Sequence, residues 1–130
     1  MTLLVRSLAA AAAAAATSAA ALAHHSVAGQ FDVTQPMTWT GVISEVEWIN
    51  PHIYLHLDVT DEDGAVTTWR LETAPPAMMR RGGLTKEMVM GDGAPVEIRG
   101  IPARLEDRNM GFIYRITYAD GHYYQLSPDR

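Results

Sequence analysis

From His52 to Thr60 the chain alternates strictly. Ile53, Leu55, Leu57 and Val59 stand against His52, Tyr54, His56 and Asp58, and a period of two sends the sets to opposite faces of a strand, one toward a core and one toward water. Upstream, residues 37–48 are rich in Thr, Val, Ile and Trp and predict a long strand, with Gly41 as the place where a bulge or sharp coil would relieve curvature. Asn50-Pro51 separates the two, because proline fixes its own φ and turns the residue before it away from helix. Asp61-Glu62-Asp63-Gly64 reads as an acidic turn into a third strand over 65–73, so these strands form a meander.

Ala74-Pro75-Pro76 then stops the sheet. A short helix is predicted over 77–81 with proline in its first turn and Gly82-Gly83 after it, and Thr85 is placed to cap a second short turn over 86–90. Strands follow over 95–100 and 111–118, flanking a charged loop at 102–109, and Asp120-Gly121 turns the chain into a closing strand over 122–126. This order predicts an all-β protein: a small Greek-key barrel of the OB type, with a short helical connection between strands three and four. A β-sandwich is the alternative architecture. OB barrels take ligands on the face of strands two and three, beside their first and fourth loops. Here those loops are the Asn50-Pro51 corner and the stretch with Arg104, Glu106, Asp107 and Arg108.

The first 23 residues are a different material. Arg6 is followed by an alanine-rich apolar run, 8–22, which Ala21-Leu22-Ala23 closes with small residues where a signal peptidase reads them, so residues 1–23 are expected to be a secretory signal peptide. The run is too short and too rich in alanine for a good membrane span, and none is expected after cleavage. The mature chain divides into an N-terminal arm, 24–36, and a barrel domain, 37–130, in the periplasm or outside the cell. Residues 24–130 carry nine Lys+Arg and fifteen Asp+Glu, a net charge of −6, which is the wrong sign for gripping phosphates; nucleic acid is therefore excluded as a partner. There is no cysteine, so packing alone must hold the fold.

Candidate chemistry concentrates in histidines and aromatics. After cleavage His24 would carry a free α-amine beside its imidazole, a nitrogen pair suited to Cu(II), with His25 or His52 adding a further nitrogen. His52 and His56 share a face four strand positions apart, about 13 Å, so one ion cannot take both. Trp48, Asn50, His52, Tyr54 and His56 form the candidate ligand face, and Trp39 and Trp69 are candidates for either that face or the core. Met78, Met79, Met88 and Met90 could offer thioethers to Cu(I) or plug a barrel end. Glu45 and Glu47, about 7 Å apart on one face, have the spacing of a hydrolytic carboxylate pair as well as that of ordinary solvent-facing glutamates. No nucleophile elbow, zinc-protease motif or phosphate loop is present. The pattern favours an exported binding protein, with copper as its candidate metal, over a small hydrolase or copper oxidase. Its partner would be a small ligand or metal ion or another periplasmic protein, and a metal-free interaction module of OB type is the alternative.

One set of residues carries a resemblance. His24-His25-Ser26, Phe31-Asp32, Trp48-Ile49-Asn50-Pro51-His52, Asp61-Glu62-Asp63-Gly64, Trp69, Arg80-Arg81-Gly82, Gly91-Asp92 and Gly100-Ile101-Pro102-Ala103 together resemble a family of small exported bacterial proteins of unknown function. The resemblance implies export and a compact β domain, and it implies no activity.

Overall fold

Ile53, Leu55 and Leu57 are fully buried, while Tyr54, His56 and Asp58 on the other face keep contact with water, so the alternation is realised in the expected register. The structure is a computed structural model that describes residues 26–105 and 108–129. Its strands are β1 (Met37–Glu47), β2 (Tyr54–Thr60), β3 (Val66–Glu72), β4 (Val96–Pro102), β5 (Met110–Thr117) and β6 (Tyr123–Gln125). The helices are α1 (Val27–Gln30), α2 (Pro76–Arg81) and α3 (Lys86–Met90). The chain divides into residues 1–30, of which α1 is the described element, and residues 31–130, which hold the rest.

The barrel closes because β1 serves two neighbours. Its first half, from Met37 to Gly41, pairs antiparallel with β4, and its second half, from Val42 to Glu47, pairs antiparallel with β2. Gly41 sits at this changeover, where an added Cβ would lie 2.3 Å from the Asp58 carbonyl oxygen, closer than any side chain can come. The bulge itself falls one turn of the pleat later: Ile43 faces Leu57 and Glu45 faces His56, leaving Ser44 as the extra residue. β3 pairs with β2 and, through Arg70–Glu72, runs parallel to the start of β5, which pairs with β4. The ring β1-β2-β3-β5-β4 is a five-stranded barrel of the OB type, and β6 is an additional strand on β5.

Ile43, Val46, Ile53, Leu55, Leu57, Leu71, Ile98, Ile113 and Ile116 fill the interior. α2 and α3, between β3 and β4, contribute Met79 and Val89 to that core. α2 starts with Pro76 in its first turn, where the missing N–H costs nothing, and Thr85 caps α3 by accepting from the Met88 N–H at 3.3 Å. Tyr118 ties α3 to the end of β5 by donating its hydroxyl to the Val89 carbonyl at 2.8 Å. The predicted acidic turn is held by Asp61, whose carboxylate accepts from the N–H groups of Asp63 and Ala65 while Gly64 takes a positive φ of 84°.

Phe31 is an outcome the hydrophobic pattern does not reveal. It is 2% exposed, bridges to Ala103 and packs its ring 5.6 Å from that of Phe112, although its sequence neighbours are polar and without period. Of the tryptophans, Trp39 is buried, with its ring 5.2 Å from that of Trp69, and Trp48 and Trp69 are half-buried against the core. Met79 is a core residue and Met90 packs half-buried against the core; Met78 and Met88 are exposed.

Candidate functional site

The outer face of the meander carries two rows of side chains set by strand register. Glu47, Tyr54 and Glu72 are direct cross-strand partners across β1, β2 and β3, and Glu45, His56 and Arg70 form the next row. Arg70 reaches diagonally to Glu47 and grips it as a fork, Nε to Oε1 at 2.9 Å and Nη2 to Oε2 at 3.1 Å. His56 Nε2 lies 2.5 Å from the same Oε1, and the Arg70 guanidinium lies 3.5 Å from the centre of the Tyr54 ring. The hydrogen bonds from Arg70 and then from His56 hold the Glu47 carboxyl at about 2, against a burial effect in the opposite direction. Glu47 is thus a committed anion. It has no proton to give near neutral pH, so in a Glu45/Glu47 pair it could not be the acid.

A second pair sits at the end of the same face. His52 Nδ1 is 3.2 Å from Glu72 Oε1 and 3.3 Å from the Thr73 carbonyl oxygen. A carbonyl oxygen can only accept, so Nδ1 is the protonated nitrogen and the neutral ring keeps its lone pair on Nε2. Burial pushes the Glu72 carboxyl above its usual value, with His52 and Arg70 pulling the other way. Thr73, fully buried beside it, has a side-chain oxygen without a hydrogen-bond partner among the described residues.

The two histidines of the predicted ligand face therefore go to different carboxylates, His52 to Glu72 and His56 to Glu47. Tyr54 joins them through Arg70, Trp48 packs against the core, and Asn50 lies in the exposed corner, where the peptide bond to Pro51 is cis. His24 and His25, the candidate copper ligands, lie outside the described residues, as do the expected signal peptide and residues Glu106 and Asp107 of the fourth loop. Among the described residues, no three His, Cys, Asp or Glu side chains converge to hold a metal ion. Sequence reasoning does not single out Arg70 and Glu72. Arg70 has a signal: it is the one Lys or Arg between Met37 and Glu72, a stretch with seven acidic residues. The remainder of the chain from Phe31 onward balances eight acidic against eight basic residues, so the net charge resides in the meander.

Residues 11–112 match the family of unknown function DUF6152. The chain belongs to that family. No curated protein and no solved structure matches it. Membership in DUF6152 places the Asn50-Pro51 corner, both histidine–carboxylate pairs and the Arg70 fork inside the family's span, whereas Tyr118, Asp120 and His122 lie beyond it.

Proposed function

We propose that the protein is exported and acts as a binding protein, taking a cationic ligand on the outer face of β1–β3 with His52 Nε2 as the anchoring donor. The observation that carries this reading is the His52 ring held at Nδ1 by Glu72 and the Thr73 carbonyl, within a meander whose one arginine is already consumed by Glu47. An imidazole held at one nitrogen by a carboxylate is oriented and made more basic at the other, which is how histidines are prepared to bind metal ions. The surplus of carboxylates around it attracts cations and repels anions. A metal ion bound at His52 would take its remaining ligands from water or from a partner. A basic segment of another exported protein would use the same charge without needing the Nε2 lone pair.

The test is a Cu(II) and Zn(II) titration of the full chain, followed by imidazole NMR signals, against His52→Ala and Glu72→Gln. Loss of binding in His52→Ala, with weakening in Glu72→Gln, supports the reading. Unchanged binding in both sinks it. A second reading has its own support: His24 follows Ala21-Leu22-Ala23 directly, so cleavage there would give it a chelating amine, and His25 a place beside it. Replacing His24 and His25 together by alanine in the exported protein would abolish that copper site and leave a His52 site intact.

A further inference from the structure

Away from the meander, a cleft of about 550 Å³ opens between the α3–β4 turn and the β5–β6 hairpin. Met88, Gly91 and Asp92 form one wall, and Tyr118, Asp120 and His122 the other. The volume lies within the range of small-molecule sites. Tyr118 is fixed in place: its hydroxyl donates to the Val89 carbonyl, and Gly91, at a φ of 68°, lies so close that an added Cβ would be 3.0 Å from the ring. The His122 ring stacks on it, with centroids 4.3 Å apart and planes within 1°. Tyr118 therefore presents an aromatic surface here and no exchangeable proton, and burial pushes its phenol well above the usual range.

The polar groups in the cleft are acceptors. Asp92 spends one oxygen on the Ala94 N–H, and Asp120 accepts from both the His122 backbone N–H and its Nδ1. With the Nδ1 proton given to Asp120, neutral His122 has its lone pair on Nε2. Among the described residues, no Lys or Arg lines the cleft. A shallower hollow of about 290 Å³ continues from Tyr118 and Ala119 along β4 and adds Glu97, again with no basic residue among the described ones. A complementary ligand must bring hydrogen-bond donors and positive charge on one part and an apolar or aromatic body on the other, for Met88 and the stacked rings.

We infer that this cleft is a second binding site, for a small organic cation: an amine or guanidine on an apolar body. It shares no residue with the His52 site and calls for no metal ion.

The experiment is an amide NMR titration of the full chain with phenethylammonium, and with phenylacetate and phenethyl alcohol as anionic and neutral counterparts. Saturable shifts are expected at Met88–Asp92 and Tyr118–His122 with the ammonium compound, little with the alcohol and none with the carboxylate. Asp92→Asn and His122→Ala, both at exposed positions, should each weaken ammonium binding about fivefold while His52→Ala leaves it unchanged. Equal binding of phenylacetate, shifts confined to the β1–β3 face, or unchanged affinity in both cleft variants would overturn the assignment. A cleft that answers to Zn(II) and ignores phenethylammonium would overturn it as well.

Discussion

Replacing Glu47 by glutamine keeps the shape of the side chain and removes the charge that Arg70 and His56 share. Moving the carboxyl from 4.5 to about 2 corresponds to about 3 kcal/mol if all of it were transmitted to stability, at about 1.4 kcal/mol per pKa unit. Glu47 keeps 23% of its side-chain surface in water and Arg70 36%, so solvent screens the fork, and we expect about 1–2 kcal/mol for Glu47→Gln near neutral pH. The sign fixes the pH dependence. The folded value lies below the unfolded one, so the stabilisation is present in full above about 4.5 and is lost as pH falls toward 2. Urea unfolding of both proteins at about pH 7, 5 and 3, at constant ionic strength, measures this directly. The gap between them should hold from 7 to 5 and shrink by more than half at 3. A gap below about 0.5 kcal/mol at neutral pH, or one that does not change on acidification, would show that the fork contributes nothing beyond its geometry.

Four further substitutions probe the strand register, the closest strand contact and the second carboxylate. Leu55→Ala empties a fully buried position and should cost about 2–5 kcal/mol in urea unfolding, against about 1 for His56→Ala, which loses one hydrogen bond to Glu47; the reverse order would refute the strand register. Gly100→Ala would put a Cβ 2.0 Å from the Phe112 carbonyl oxygen and 3.1 Å from the Trp39 ring, so β4 and β5 must separate, at about 1–3 kcal/mol or more; wild-type stability would mean that the strands yield freely. Glu72→Gln should be at least as stable as the parent near pH 7, because a carboxyl raised by burial loses stability as pH rises through its folded value, yet it should bind cations more weakly. A thermal melt and a Zn(II) titration of that variant separate the two effects.

Most of the barrel is legible because its strands alternate and its turns are punctuated by Gly, Pro and Asp. The Asn50-Pro51 corner, the Asp61 turn and the Thr85 cap each carry their own local chemistry, and each stands where its residues put it. Phe31 is not legible, since a single aromatic in a polar arm has no period, and its place against Phe112 is set by a contact distant in sequence. The usual association of glycine with bulges points to Gly41, but Gly41 answers to the close approach of Asp58, and Ser44 needs no special residue type to bulge. The site divides the same way. Alternation shows that His52, Tyr54 and His56 share a face; which carboxylate each one meets depends on the registers of β1 and β3 against β2, and on diagonal reach, which one strand's pattern does not contain.

The extra residue at Ser44 separates two properties of β1 that are usually linked. Ile43 and Val46 both point inward across it, so the strand returns to its former alternation with Glu47 outward, and removing Ser44 would leave Ile43, Glu45, Val46 and Glu47 in the order in, out, in, out. A lineage can therefore gain or lose that one residue and change how sharply the barrel bends at this corner while every partner of Arg70 and His56 stays on its own side. Curvature in this strand is an adjustable length, and the charged face is inherited unchanged through the adjustment.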